Sequence, residues 1–162
     1  MPAARFKQVA DSAKIDRAAA ALNKHGFSAK VVATGADAKA AVLALIPAGS
    51  EGFTYTSATL DATGLTEALN AAPYKSLRDK MYALDRNTQS AEMRAIGAAP
   101  AFAVGSANAV TETGELMLAS ATGSQLPSYA YGVNSAINKT LILHGEMPGR
   151  IDVVIVAEEL GF

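Results

Sequence analysis

The chain has 162 residues, 50% hydrophobic and 18% charged, with a net charge of −1. That composition excludes intrinsic disorder, and the length fits one domain, 1–162, able to build a core without covalent staples. The charge balance excludes the broad basic field that draws in DNA or RNA; basic residues are interleaved with acids, and Arg78-Asp79-Lys80 reads as a solvated helix face.

There is no cysteine, so disulfides, thiolate chemistry and an iron–sulfur cluster bound in the usual way by this chain are excluded. His25 and His144 are far apart in sequence, which argues against a His-based metal site and leaves only carboxylate ligands. Neither a metal nor a resident cofactor is expected. The first residues, Met1 to Lys7, lack the apolar stretch of a secretory signal, and no apolar run has transmembrane length. The expectation is a cytoplasmic protein with no membrane or nucleic-acid partner.

Residues 4–25 read as helix in one or two pieces, because Phe6, Val9, Ala13, Ala18 and Leu22 recur at helical spacing. Gly26 follows as a helix-ending glycine. Phe27 to Thr34 reads as a strand, and Thr34 then caps a helix from Gly35 to Ile46 that Pro47 ends. Gly52 to Thr56 is a short strand leading into a helix that starts at Ser57-Ala58-Thr59. One or two helices follow within Tyr74 to Ile96, then a strand at Pro100 to Gly105.

Ala109 to Glu112 and Glu115 to Ser120 alternate in character around Thr113-Gly114, which predicts a β-hairpin. Residues 121–125 form a loop. The last strands expected are Thr140 to His144 and Ile151 to Ala157, joined by a turn carrying Gly145, Pro148 and Gly149. Strands alternating with helices favour a parallel or mixed sheet covered by helices.

Three segments could hold an anion. In Thr56-Ser57-Ala58-Thr59, unpaired N–H groups at a helix start and the hydroxyls of Ser57 and Thr59 suit a phosphate or carboxylate. Ser and Thr are also ordinary N-caps. In the second segment, Gly105, Ser106 and Asn108 follow a strand end, where ligands of α/β sheets tend to bind. Glu112, Thr113 and Gly114 lie just beyond. Glu112 is either a general acid/base or nucleophile aimed into a cleft, or a solvated hairpin residue. The third segment is Thr122, Gly123, Ser124 and Gln125, where consecutive N–H groups and side-chain donors can form an anion nest. Lys139, before a late strand, would meet a carboxylate or face water. No Walker A loop, G-x-G-x-x-G, HExxH or CxxC occurs.

Several stretches together resemble the LUD-domain family, which contains the lactate-utilisation protein C group. They are LNKHGFSAKVV (Leu22 to Val32), Leu45 to Gly49, S-x-T-L-x-x-x-G-L (Ser57 to Leu65), and GSANAVTETGELMLASATGSQLPSYAYG (Gly105 to Gly132). NSAINKTLIL and its following glutamate (Asn134 to Glu146) and GRIDVVIVAEELGF (Gly149 to Phe162) complete the series.

The resemblance implies a Rossmann-like three-layer αβα domain with a mixed sheet, similar to the ribose-phosphate isomerase and CoA-transferase superfold. It implies a small anionic metabolite as ligand and a role in lactate or organic-acid use. It also implies an iron–sulfur oxidoreductase subunit as partner, and dimers. Two other readings stay open: a non-catalytic subunit that docks to that oxidoreductase, and an isomerase or acyl/CoA-transferase in which Glu112 is nucleophile or base. Relatives of this type carry a further strand and helix where this chain runs directly from Tyr131 to Asn134, so one β–α unit is expected to be lost here.

Overall fold

The computed structural model describes residues 9–120, 123–129, 135–137 and 150–156. Helix α1 runs Ser12–Lys24, capped by Asp11, whose carboxylate accepts from Lys14 N at 2.9 Å. That backbone donor holds the Asp11 carboxyl below its ordinary range. Gly26 takes the expected left-handed conformation, φ 85°, just after the helix. Strand β1 is Ser28–Val32 and helix α2 is Gly35–Leu45. Thr34 and Asp37 form a reciprocal capping box at the start of α2.

Strand β2 (Glu51–Thr54) leads into two short helices, α3 (Ala58–Ala62) and α4 (Leu65–Leu69). The sequence region 74–96 resolves into an edge strand β3 (Lys75–Ser76), α5 (Leu77–Tyr82) and α6 (Ser90–Ala98). The break between α5 and α6 is held by Asp85, which accepts from Asn87 N at 2.9 Å and from the Thr88 hydroxyl at 3.0 Å.

Strand β4 is Phe102–Val104, and the hairpin consists of β5 (Ala109–Val110) and β6 (Leu116–Met117). The hairpin strands are shorter than expected because the ladder breaks at Thr111: Glu115 N donates to the Thr111 side-chain hydroxyl at 2.9 Å, and the Thr111 carbonyl accepts from Gly114 N at 3.1 Å instead. Strands β7 (Ser135–Ile137) and β8 (Arg150–Val156) complete the order. β7 is a strand that periodicity did not predict. The start of the first expected helix and the expected strand Thr140 to His144 lie outside the described residues, as do Tyr131 to Asn134.

The main sheet has six strands in the order β1-β8-β7-β4-β2-β3. Every described pairing in it is parallel, which corrects the expectation of a mixed sheet. The antiparallel pairing falls instead in the separate β5–β6 hairpin. The physical reason is local: the hairpin's connection is short enough to reverse the chain, whereas β2, β3 and β4 are joined through helices.

The pleat divides the core. Phe53 and Ala103 are register partners and pack with Leu77, Met81 and Ile96 from α5 and α6. Val104, one residue on and therefore on the opposite face, packs with Val42, Leu60, Leu65 and Leu69 from α2, α3 and α4. Helices thus cover both faces and the architecture is a three-layer α/β sandwich. On the second face Thr54 is buried but satisfied, accepting from Asn70 Nδ2 at 3.0 Å. α1 packs through Leu22, with Phe27 and Leu116, against Ala29 and Ile155. No helix among the described residues is long and apolar enough to cross a membrane.

Candidate functional site

Beyond the ends of β2 and β4 the chain opens into loops, the position where ligands enter parallel sheets. The ladder continues one step past β2, with Tyr55 N donating to Val104 O at 2.9 Å. Ser57 and Ser106, one from each loop, meet there: the Ser57 hydroxyl donates to Ser106 Oγ at 2.7 Å. Ser57 is buried and also accepts from Leu60 N at 3.2 Å, so it caps α3. Thr59 lies in the first turn of α3, where its carbonyl accepts from the Thr63 hydroxyl at 2.8 Å.

Gly105 is fixed by a close approach. A Cβ built on it would lie 2.0 Å from the Tyr129 hydroxyl, and Tyr129 is fully buried. Asn108 closes the base of the hairpin, its side chain accepting from Ala119 N at 2.7 Å.

The hairpin tip turns toward α1. Gly114, at φ 89°, sits so close to the α1 backbone that a Cβ would meet the Ala21 carbonyl carbon at 2.7 Å and Leu22 N at 2.9 Å. His25 Nδ1 donates to the Gly114 carbonyl at 3.2 Å. Thr113 donates to Glu115 at 2.5 Å. Glu112 is exposed, and its Oε2 accepts from Arg17 Nε at 2.8 Å and Nη2 at 2.7 Å. Glu112, Thr113 and Gly114 therefore form the hairpin's junction with α1.

A cleft of ≈ 530 Å³ lies at the carboxyl end of β2, between α5, α6 and the loop 123–127. Gly123, Ser124 and Gln125 line it, with Thr56; Ser57, Thr59, Gly105, Ser106, Asn108 and Glu112 do not. Thr122 and Lys139 lie outside the described residues. The cleft wall also carries three arginines, Arg78, Arg86 and Arg94, and no aspartate or glutamate among its described lining. No carboxylate among the described residues pairs with any of the three.

Arg78 is anchored to the strand end, donating to Thr54 O at 3.4 Å and Thr56 Oγ1 at 3.3 Å. Its guanidinium lies 5.3 Å from the ring centroid of Tyr82, one turn along α5, and Nε donates to the Tyr82 hydroxyl at 3.1 Å. This corrects the reading of Arg78-Asp79-Lys80 as one solvated face. Successive helical residues point about 100° apart, so Arg78 turns into the cleft. Lys80 instead pairs with Glu51 on the surface.

The cleft floor includes Phe53 and Tyr55, whose rings are 5.0 Å apart; Tyr55 meets Tyr129 edge-on at 5.2 Å. The Tyr55 hydroxyl donates to the Gly97 carbonyl at 3.2 Å and is hydrogen-bonded to Ser128 Oγ. Burial raises the phenol pKa of both Tyr55 and Tyr129, so both are neutral near pH 7.

The LUD-domain profile matches residues 15–137, well over half of the chain. The chain belongs to the LUD-domain family. No curated protein and no solved structure matches it at a significant level. In this LUD domain the matched stretch contains every described residue of the cleft. Sequence reasoning found its loop side but missed the arginines. Asp79, Asp85 and Glu92 are interspersed among them, so no marked local charge excess singles out the segment. The one available signal was position: Arg78, Arg86 and Arg94 lie in the crossover that precedes a strand ending in a candidate loop.

Proposed function

We propose that this LUD domain binds a small anionic metabolite in the cleft beside β2, in the service of lactate or related organic-acid use, the role its family suggests. The observation that carries the reading is the cleft's charge: three arginines and no carboxylate among its described lining, in a chain whose net charge is −1. Such a site attracts anions locally and needs no long-range field. Guanidinium groups bind carboxylate and phosphate through paired N–H donors. Gly123, Ser124 and Gln125 add backbone and side-chain groups to the same lining. An iron–sulfur cluster working with this chain would reside in a partner oxidoreductase subunit, because the chain has no cysteine.

The test is calorimetric titration with lactate, pyruvate and inorganic phosphate, repeated on Arg86→Gln and Arg94→Gln. A charge-assisted hydrogen bond is worth about 1.5–3 kcal/mol, so each substitution should weaken binding about tenfold or more. Anion affinity unchanged in both variants would overturn the reading.

A further inference from the structure

The cleft is chemically divided. Its lining combines Arg78, Arg86 and Arg94 with an apolar set, Phe53, Met81, Tyr82 and Met93. A short hydroxy acid can use the arginines, but it has nothing to offer the apolar set. The cleft's ≈ 530 Å³ is also the size of sites that take drug-sized ligands, about 300–1,000 Å³.

Tyr82 is the most exposed of the large hydrophobic residues among those described, at 58%. It nonetheless lines the cleft, as do Met81 and Met93, with the Arg78 guanidinium set against its ring. Exposed aromatic surface in a concave site is suited to a second flat ring, and methionine sulfur packs well against ring edges. Three guanidiniums suit a group with more charge and more acceptor oxygens than one carboxylate.

We infer that the cleft takes a phosphate monoester carrying a flat aromatic or heteroaromatic ring, with the phosphate held by the arginines and the ring against Tyr82, Met81 and Met93. This rests on the anion-binding reading above and names its ligand class. Arg78 joins the two parts, since it lines the cleft while its guanidinium lies 5.3 Å from the Tyr82 ring centroid. The two parts of the ligand should therefore bind cooperatively.

The test is titration of the full chain with four probes: phenyl phosphate, glycerol 3-phosphate, inorganic phosphate and lactate. Phenyl phosphate should bind about tenfold tighter than glycerol 3-phosphate, from ring contact beyond simple area burial. Tyr82→Leu should remove that advantage, and Tyr82→Phe should keep it. Because Tyr82 is exposed, neither variant threatens the fold. Equal affinity for phenyl and glycerol phosphates, or lactate as the tightest probe, would overturn the inference and leave the anion site standing. Binding of none of the four would overturn both, as would binding that is indifferent to Arg86→Gln and Arg94→Gln.

Discussion

The Tyr55 hydroxyl is hydrogen-bonded to Ser128, joining the end of β2 to the loop whose preceding residues line the cleft. The same hydroxyl donates to the Gly97 carbonyl near the end of α6. One buried phenol thus ties together three of the segments that form the cleft wall. Tyr55→Phe leaves Ser128 and the Gly97 carbonyl short of a partner, which costs about 1–3 kcal/mol. Urea unfolding should show that loss. Titration with inorganic phosphate should show weaker binding, because Gly123, Ser124 and Gln125 are no longer held. Full stability in the variant would show that the bond contributes nothing.

The same burial gives an alkaline limit. Tyr55 and Tyr129 have phenol pKa values raised above the ordinary value of about 10 by desolvation. Between the unfolded and folded pKa values the folded state holds more protons than the unfolded state, so stability falls as pH rises. These tyrosines therefore support the fold fully below pH of about 10 and progressively less above it. Urea midpoints measured across that range should decline, and less steeply in Tyr55→Phe. A midpoint as steep in the variant as in the parent would assign the decline to other groups.

Glu112 and Arg17 bridge the hairpin and α1 on the surface, with side chains 47% and 55% exposed. Exposed pairs contribute about 0–1 kcal/mol. Glu112→Gln should lower stability within that range and leave phosphate binding in the cleft unchanged. Loss of ligand binding or turnover in this variant would restore Glu112 as a site residue and move the search to the hairpin.

Ser57 decides between capping and ligand contact. It caps α3 and donates to Ser106, and it does not line the cleft. Ser57→Ala should cost about 0.5–2 kcal/mol as a lost N-cap, with phosphate affinity preserved. The opposite pattern, intact stability and abolished binding, would place the anion at this loop instead.

Gly105 and Tyr129 are coupled by contact. Gly105→Ala brings a methyl group to 2.0 Å from the Tyr129 hydroxyl, which must then move. Overpacking of this kind costs about 1–3 kcal/mol. Tyr129→Phe in the same background should recover part of the loss. A double-mutant cycle with no interaction energy would disprove the coupling.

Local rules made much of this fold legible. Thr34 with Asp37, Gly26 after a helical run, and Gly114 between alternating segments are signals that a few neighbouring residues carry, and each is met in the structure. The stretches from Leu22 to Ile137 also carried the family, within the span the LUD-domain model matches. Two short strands were not legible: β3 has two residues and β7 three, too few for alternation to register, and they exist because parallel neighbours pair with them.

The cleft shows the same division. Gly123, Ser124 and Gln125 advertise a polar loop by composition alone. Nothing local separates Arg78 from Lys80, two residues apart; only the docking of α5 beside the end of β2 sends one guanidinium into the cleft and the other cation to Glu51. Sequence determined which segments fold and which loops are polar, because caps, turns and periodicity act over a few residues. The tertiary structure decided which charges line the cleft, because that depends on contacts between segments far apart in the chain.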